Sequence, residues 1–259
     1  AGDSVVFANF RNDRAKELTS AISQADFDHF KTRQISNLTF VTLTRYDQGF
    51  KNVQVMFDPQ KDYACLGEIL SKNKKRQLRL AETTKFAHVT YFFNAGKKEP
   101  FKNEDRILIE TKKTKEFDKF PEMRAKEITA KLVENIKSKK YDFILTNLSN
   151  ADMVGHTANL GATILAVECI DICLKKIYKA CCDASADLLI CADHGNADKL
   201  LDFRKKKLTS HSKSKVPCIL ISNNFRNIKL AKNKKLANVA PTVLKLLNIP
   251  NAFEEEPLF

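Results

Sequence analysis

The stretch ILTNLSNADMVGHTANL, residues 144–160, decides how this chain is read. It opens as an apolar run of the kind a strand buried on both faces carries. It then sets Asp152 and His156 four positions apart, where the chain should turn away from its sheet. An isolated Asp-x-x-x-His is also a common solvated pair on a helix, so its meaning depends on its company.

Working outward, apolar strand patterns and amphipathic helix patterns alternate on both sides of this stretch. Strands are expected at 4–10, 38–46, 52–57, 76–82, 106–110, 142–149, 187–193 and 216–222. Helices are expected at 11–23, 63–73, 84–94, 121–138, roughly 157–181 and 237–248, with Ile128, Leu132, Val133 and Ile136 facing inward in the fourth. The punctuation AGKK after residue 94 makes 84–94 a helix despite its β-branched residues. Such alternation predicts an α/β fold with a largely parallel sheet flanked by helices. Asp58-Pro59 marks a hinge between a module at 1–58 and a larger one at 59–259.

The bulk properties exclude several classes. At 259 residues the chain can bury a substantial core, and no apolar run approaches the ~18 residues of a membrane span. The net charge of +13 comes from 34 Lys and 10 Arg scattered along the whole length. KNKKRQLR (72–79) and RKKK (204–207) lack interleaved aromatics, so they read as a lysine-rich solvated surface with no nucleic-acid partner. Small anions would still be attracted. Seven cysteines, at 65, 169, 173, 181, 182, 191 and 218, lack the second Cys/His pair of a structural zinc site and are expected as reduced, buried thiols. The chain shows no signal or transit peptide, and it begins AGDSVVFANF, without methionine and almost in a strand, as a fragment would.

Three places repeat one arrangement, a strand beside metal-capable residues. FILTNLSNADMVGH brings Asp152 and His156, LLICADHGNAD brings Asp193 and His194, and LTSHSKSKVPCILIS puts His211 in the loop before a strand. Ligands of open α/β sheets gather beyond the carboxyl ends of strands, so the first two sets should share one crevice. Carboxylate oxygens with imidazole nitrogens suit manganese or zinc better than calcium. ADHGN by itself could be a tight turn, but three of only five histidines stand at such places, while His29 and His88 have no such company.

Taken in order, NADMVGHTANL (150–160), ADHGNADK (192–199) and HSKSKVP (211–217) resemble the metal-binding motifs of the cofactor-independent (2,3-bisphosphoglycerate-independent) phosphoglycerate mutases of the alkaline phosphatase superfamily. AETTKFAHVTYFFN (81–94) resembles that family's substrate-side motif, and VFANFRNDRAKEL (6–18) its arginine-bearing one. The resemblance implies an alkaline-phosphatase-like domain at 59–259 and the remnant of a second, transferase domain at 1–58. It implies two manganese ions, one held by Asp152, His156 and His211, the other partly by Asp193 and His194. Lys85 would face the transferring phosphoryl group, and Arg11 and Arg14 would grip phosphate or carboxylate. The implied reaction interconverts 3-phosphoglycerate and 2-phosphoglycerate through a phosphoserine, in a cytosolic, monomeric glycolytic enzyme.

The sequence departs from that family in three respects. The segment bearing the family's nucleophilic serine is expected to be missing; Ser149, Ser210 and Ser212 match positions that are not the nucleophile, so this chain is expected to be inactive alone. SNAD stands where the family usually has a proline before the aspartate, and HSKSKVP is charged where it is usually Thr-rich. Another metal-dependent member of the superfamily, a phosphopentomutase-like enzyme or a general phosphatase, and an inactive anion- or partner-binding half-protein are the rival readings.

Overall fold

The structure is a computed structural model that describes residues 2–11, 14–33, 35–57, 64–114 and 116–259. It divides into two compact units, Ala1–Tyr63 and Ala64–Phe259. The hinge expected at Asp58-Pro59 lies outside the described residues.

In the smaller unit three short strands, β1 (Ser4–Phe7), β2 (Thr39–Thr42) and β3 (Val53–Val55), form a parallel sheet in the order β1-β2-β3. Phe40, on the central strand, is buried, and the Phe7 ring meets it edge-on at 6.3 Å. Helix α1 (Ala15–Ser23) starts later than its sequence pattern suggests. Its buried residues are the small Ala15, Thr19 and Ala21, while Leu18 is exposed.

The larger unit is built around β4 (Gln77–Glu82), every residue of which is buried. Strands β5 (Glu104–Ile109) and β6 (Phe143–Thr146) pair with it in parallel on either side. A separate pair, β7 (Leu188–Cys191) and β8 (Cys218–Ile221), is antiparallel. Four of the five strand pairings among the described residues are therefore parallel.

Side-chain alternation along the strands sorts the core into two layers. On one face Phe143 and Leu189 pack against α2 (Leu66–Lys72) and α7 (Val239–Leu246), through Leu70 and Leu244. On the other, Leu80, Ile144 and Leu188 pack against α4 (Ala125–Lys137) and α6 (Leu160–Ala184), through Ile128, Leu132 and Ile177. Neighbouring residues of β6 and of β7 thus enter opposite layers in the same way, yet the two strands belong to different sheets.

Local chemistry explains where the expected elements end. The helix expected over 84–94 is α3 (Thr83–Ala87) followed by a π-helical turn, His88–Phe92. The helix expected over roughly 157–181 is present as one helix, α6, and a further short helix that the sequence reading did not expect precedes it. A short helix α5 (Asn150–Gly155) carries Asp152; Ala158 then takes a left-handed φ of 50°, and Asn159 caps α6 by accepting from the amide of Ala162 at 3.2 Å. Not all the thiols are buried as expected: Cys182 and Cys191 are exposed. Cys182 is one position, about 100° of helix, past the buried Cys181. No helix of the described residues is long and apolar enough to cross a membrane.

Ile128 is fully buried and Ile172, on the outer surface of α6, is 56% exposed. Ile128→Ala should cost about 3 kcal/mol in urea unfolding and Ile172→Ala less than about 0.5 kcal/mol. Equal costs would contradict the layer assignment.

Candidate metal centre

The site starts from the turn after β6. Ser149 is buried at the start of α5, and its hydroxyl donates to Glu82 at 2.6 Å, tying the end of β6 to the end of β4. The hydroxyl of Thr111 donates to the other oxygen of Glu82 at 2.9 Å. Glu82 leads directly into α3 and Lys85, so this network sets Lys85 and Asp152 side by side. Lys85 Nζ lies 2.5 Å from Asp152 Oδ2.

One turn of α5 carries His156 back over Asp152, as i,i+4 spacing requires. His156 Nε2 is 3.1 Å from Asp152 Oδ1. His211 arrives from the loop before β8, with Nε2 at 3.3 Å from the same oxygen and 3.2 Å from His156 Nε2. Two imidazole nitrogens and a carboxylate oxygen thus form a nearly equilateral triangle. Among the described residues it is the one cluster of three or more His, Cys, Asp or Glu donors lying within 4.8 Å of one another.

The triangle fits a cation on chemical grounds. Bonds of about 2.1 Å to one ion put neighbouring ligand atoms roughly 3.0–3.4 Å apart, the spacing seen here. His156 Nδ1 lies 2.7 Å from the carbonyl oxygen of Thr209 and donates to it, which leaves the Nε2 lone pair facing the triangle. With Nε2 of His211 only 3.2 Å away, a proton or a cation is needed between them.

Burial pushes the Asp152 carboxyl up, but hydrogen bonds from Lys85 and Asn196 and the nearby positive charge outweigh it and hold the pKa at about 2. Burial is the main influence on His211 and lowers its pKa, with His194 adding to the shift and Asp152 opposing it. Neutral imidazole is the form that ligates a metal.

The other expected residues are placed as follows. The ring of His194 stacks on that of His211, centroids 3.5 Å apart and planes 16° apart, and its Nε2 is 3.4 Å from Asp193 Oδ2. His194 Nδ1 is buried and has no hydrogen-bond partner among the described residues. Through His194 this pair borders the triangle, and among the described residues it forms no three-donor cluster of its own. Arg11 and Arg14 are exposed in the smaller unit, Arg14 at the start of α1. Of the serines considered, Ser149 is committed to Glu82 and Ser212 donates to Asp198 at 3.0 Å.

Sequence reasoning missed the residues around the ligands: Glu82, Thr209, Asn196 and Asp198. Of these, Asn196 was visible only as a turn former in ADHGN.

Comparison with known proteins places this geometry in a family. A model described as the Metalloenzyme superfamily matches residues 16–251. A 2,3-bisphosphoglycerate-independent phosphoglycerate mutase of Clostridium botulinum (strain Langeland) is 46% identical over 253 residues, 97% of this chain and 49% of that protein. The enzyme of the same name from Gracilaria tenuistipitata var. liui is 47% identical over 252 residues, 96% of this chain and 49% of that one. This chain therefore spans about half the length of these curated relatives. A crystal structure of Leishmania mexicana phosphoglycerate mutase at low cobalt concentration is similar with a TM-score of 0.82 and 30% identity, over 99% of this chain and 50% of that one. The mixed α/β fold, parallel sheets flanked by helices, is shared with that structure. A donor triangle of cation-binding dimensions and a family match across nearly the whole sequence agree, and the chain belongs to the Metalloenzyme superfamily.

Proposed function

We propose that this chain is the metal-holding part of a phosphoglycerate mutase that interconverts 3-phosphoglycerate and 2-phosphoglycerate without 2,3-bisphosphoglycerate. The observation that carries the reading is the triangle of Asp152, His156 and His211, set in a chain 46% identical to a protein of that name.

In this reading Asp152 Oδ1, His156 Nε2 and His211 Nε2 hold one divalent cation, manganese for preference, and Asp193 and His194 contribute to a second. Bound there, such cations supply Lewis acidity, lowering the pKa of a serine hydroxyl and shielding phosphoryl charge. Lys85, already beside Asp152, neutralises the equatorial oxygens of the phosphoryl group. Arg11 and Arg14 have the planar forks that bind carboxylate and phosphate bidentately. The phosphoryl-accepting serine is assigned to the half of the relatives that this chain does not span. The parent protein is read as a cytoplasmic monomer.

Manganese titration of the chain should show one site, weakened at least ~100-fold in His156→Ala and in His211→Ala, because each removes a ligand from the ion. Unchanged affinity in both variants would remove the triangle from the mechanism.

The chain alone should give no 2-phosphoglycerate in an enolase-coupled assay. Mixed with the unmatched half of the Clostridium botulinum relative, it should give turnover that chelation abolishes and manganese restores. Turnover that needs added bisphosphoglycerate would contradict the proposal.

A further inference from the structure

The loop after β7 does more than present Asp193 and His194. Asn196 is 5% exposed, and its Nδ2 donates to the backbone carbonyl of Asp152 at 3.1 Å and to Asp152 Oδ1 at 2.7 Å. Both partners are acceptors, so the amide can face them in one orientation only. Its Oδ1 is turned toward α5, where position 155 has no side chain. A Cβ built on Gly155 would lie 2.6 Å from that oxygen and 2.9 Å from Asn196 Cγ.

Two residues on, Asp198 reaches the other ligand-bearing loop. The hydroxyl of Ser212, the residue after His211, donates to both Asp198 carboxylate oxygens at 3.0 Å. The Ser212 amide donates to the carbonyl oxygen of Gly195 at 2.8 Å. Gly195 is also obligatory: a Cβ there would meet Ser212 Oγ at 2.2 Å and Asp198 Oδ1 at 2.6 Å. One short loop therefore bonds to the carboxylate of α5 and to the residue that follows His211, which are 60 positions apart.

We propose that Asn196 and Asp198 are positioning residues: Asn196 fixes the Asp152 carboxylate, Asp198 fixes the His211 loop, and together they keep the three donor atoms at cation-binding distance. The proposal rests on the metal reading above. Asp152 has two oxygens and two jobs, and Asn196 is what keeps Oδ1 turned toward the histidines while Oδ2 stays with Lys85. Asp198 has the corresponding effect on His211, whose own ring has no hydrogen bond to the backbone among those described, unlike that of His156.

The test is manganese titration of the chain, with urea unfolding in chelator measured alongside. Partners of this kind typically contribute 10–100-fold to metal affinity, so Asn196→Ala and Asp198→Ala should each weaken manganese binding by about that factor. Gly155→Ala, which displaces Asn196 without touching its chemistry, should do the same. Asp198→Asn keeps an acceptor for Ser212 and should stay within about 3-fold of the wild type. Metal-free stability should fall in Asn196→Ala and Gly155→Ala by less than the loss in binding, since Asn196 also compensates the buried carboxylate, and should stay near the wild type in the two Asp198 variants. If the wild type binds no manganese, the metal reading fails and this inference with it. If the wild type binds and the two alanine variants bind equally well, the inference alone is overturned. Weakened binding matched by an equal loss of metal-free stability, or failure of a variant to fold, would assign these residues to folding and also overturn it.

Discussion

Everything at this site depends on the Asp152 carboxylate, whose side chain is only 15% exposed. A carboxylate taken that far out of water must be compensated by charge and hydrogen bonds. Lys85 compensates one oxygen; Asn196 and the two imidazole nitrogens crowd the other. No one of these partners is close to Asp152 in sequence except His156, so satisfying this one group requires that β4, β6, β7 and the loop before β8 end in the same place. The fold is the arrangement that achieves it.

The sheet supplies that convergence. β4 is buried along its whole length because helices cover both faces, and the parallel register with β6 carries both chains in one direction, toward the same edge. Glu82 at the end of β4 and Ser149 just past β6 then lock the two exits together through a buried hydrogen bond. The arrangement is costly if incomplete, since a buried Glu without its Ser and Thr donors would keep its desolvation penalty and lose its compensation. Precision at Lys85 and Asp152 is thus inherited from a network that includes none of the three donor residues.

The sequence made part of this legible and hid the rest for identifiable reasons. The apolar run before Asp152 and the amphipathic pattern of α4 show in local periodicity, and both elements are present, although β6 ends at Thr146 and Val133 and Ile136 are only half-buried. Residue types and motif order pointed to a shared crevice, the grouping of Asp152, His156 and His211 as one ligand set came from the family resemblance, and the structure brings these three together. Asn196 was not singled out because an Asn beside glycine is an ordinary turn residue, and Asp198 because nothing local marks it; their partners lie 44 and 14 positions away. Glu82 and Ser149, 67 positions apart, are invisible for the same reason. The break between α5 and α6 turns on a left-handed alanine, a conformation set by capping rather than by hydrophobic pattern.

The central claim is that the three donor atoms share one ion. The most direct test is a crystal structure of the chain grown with manganese, with anomalous data collected at the manganese edge. The account predicts a peak about 2.0–2.3 Å from Asp152 Oδ1, His156 Nε2 and His211 Nε2. Manganese bound elsewhere, with the two Nε2 atoms still 3.2 Å apart and no density between them, would contradict it.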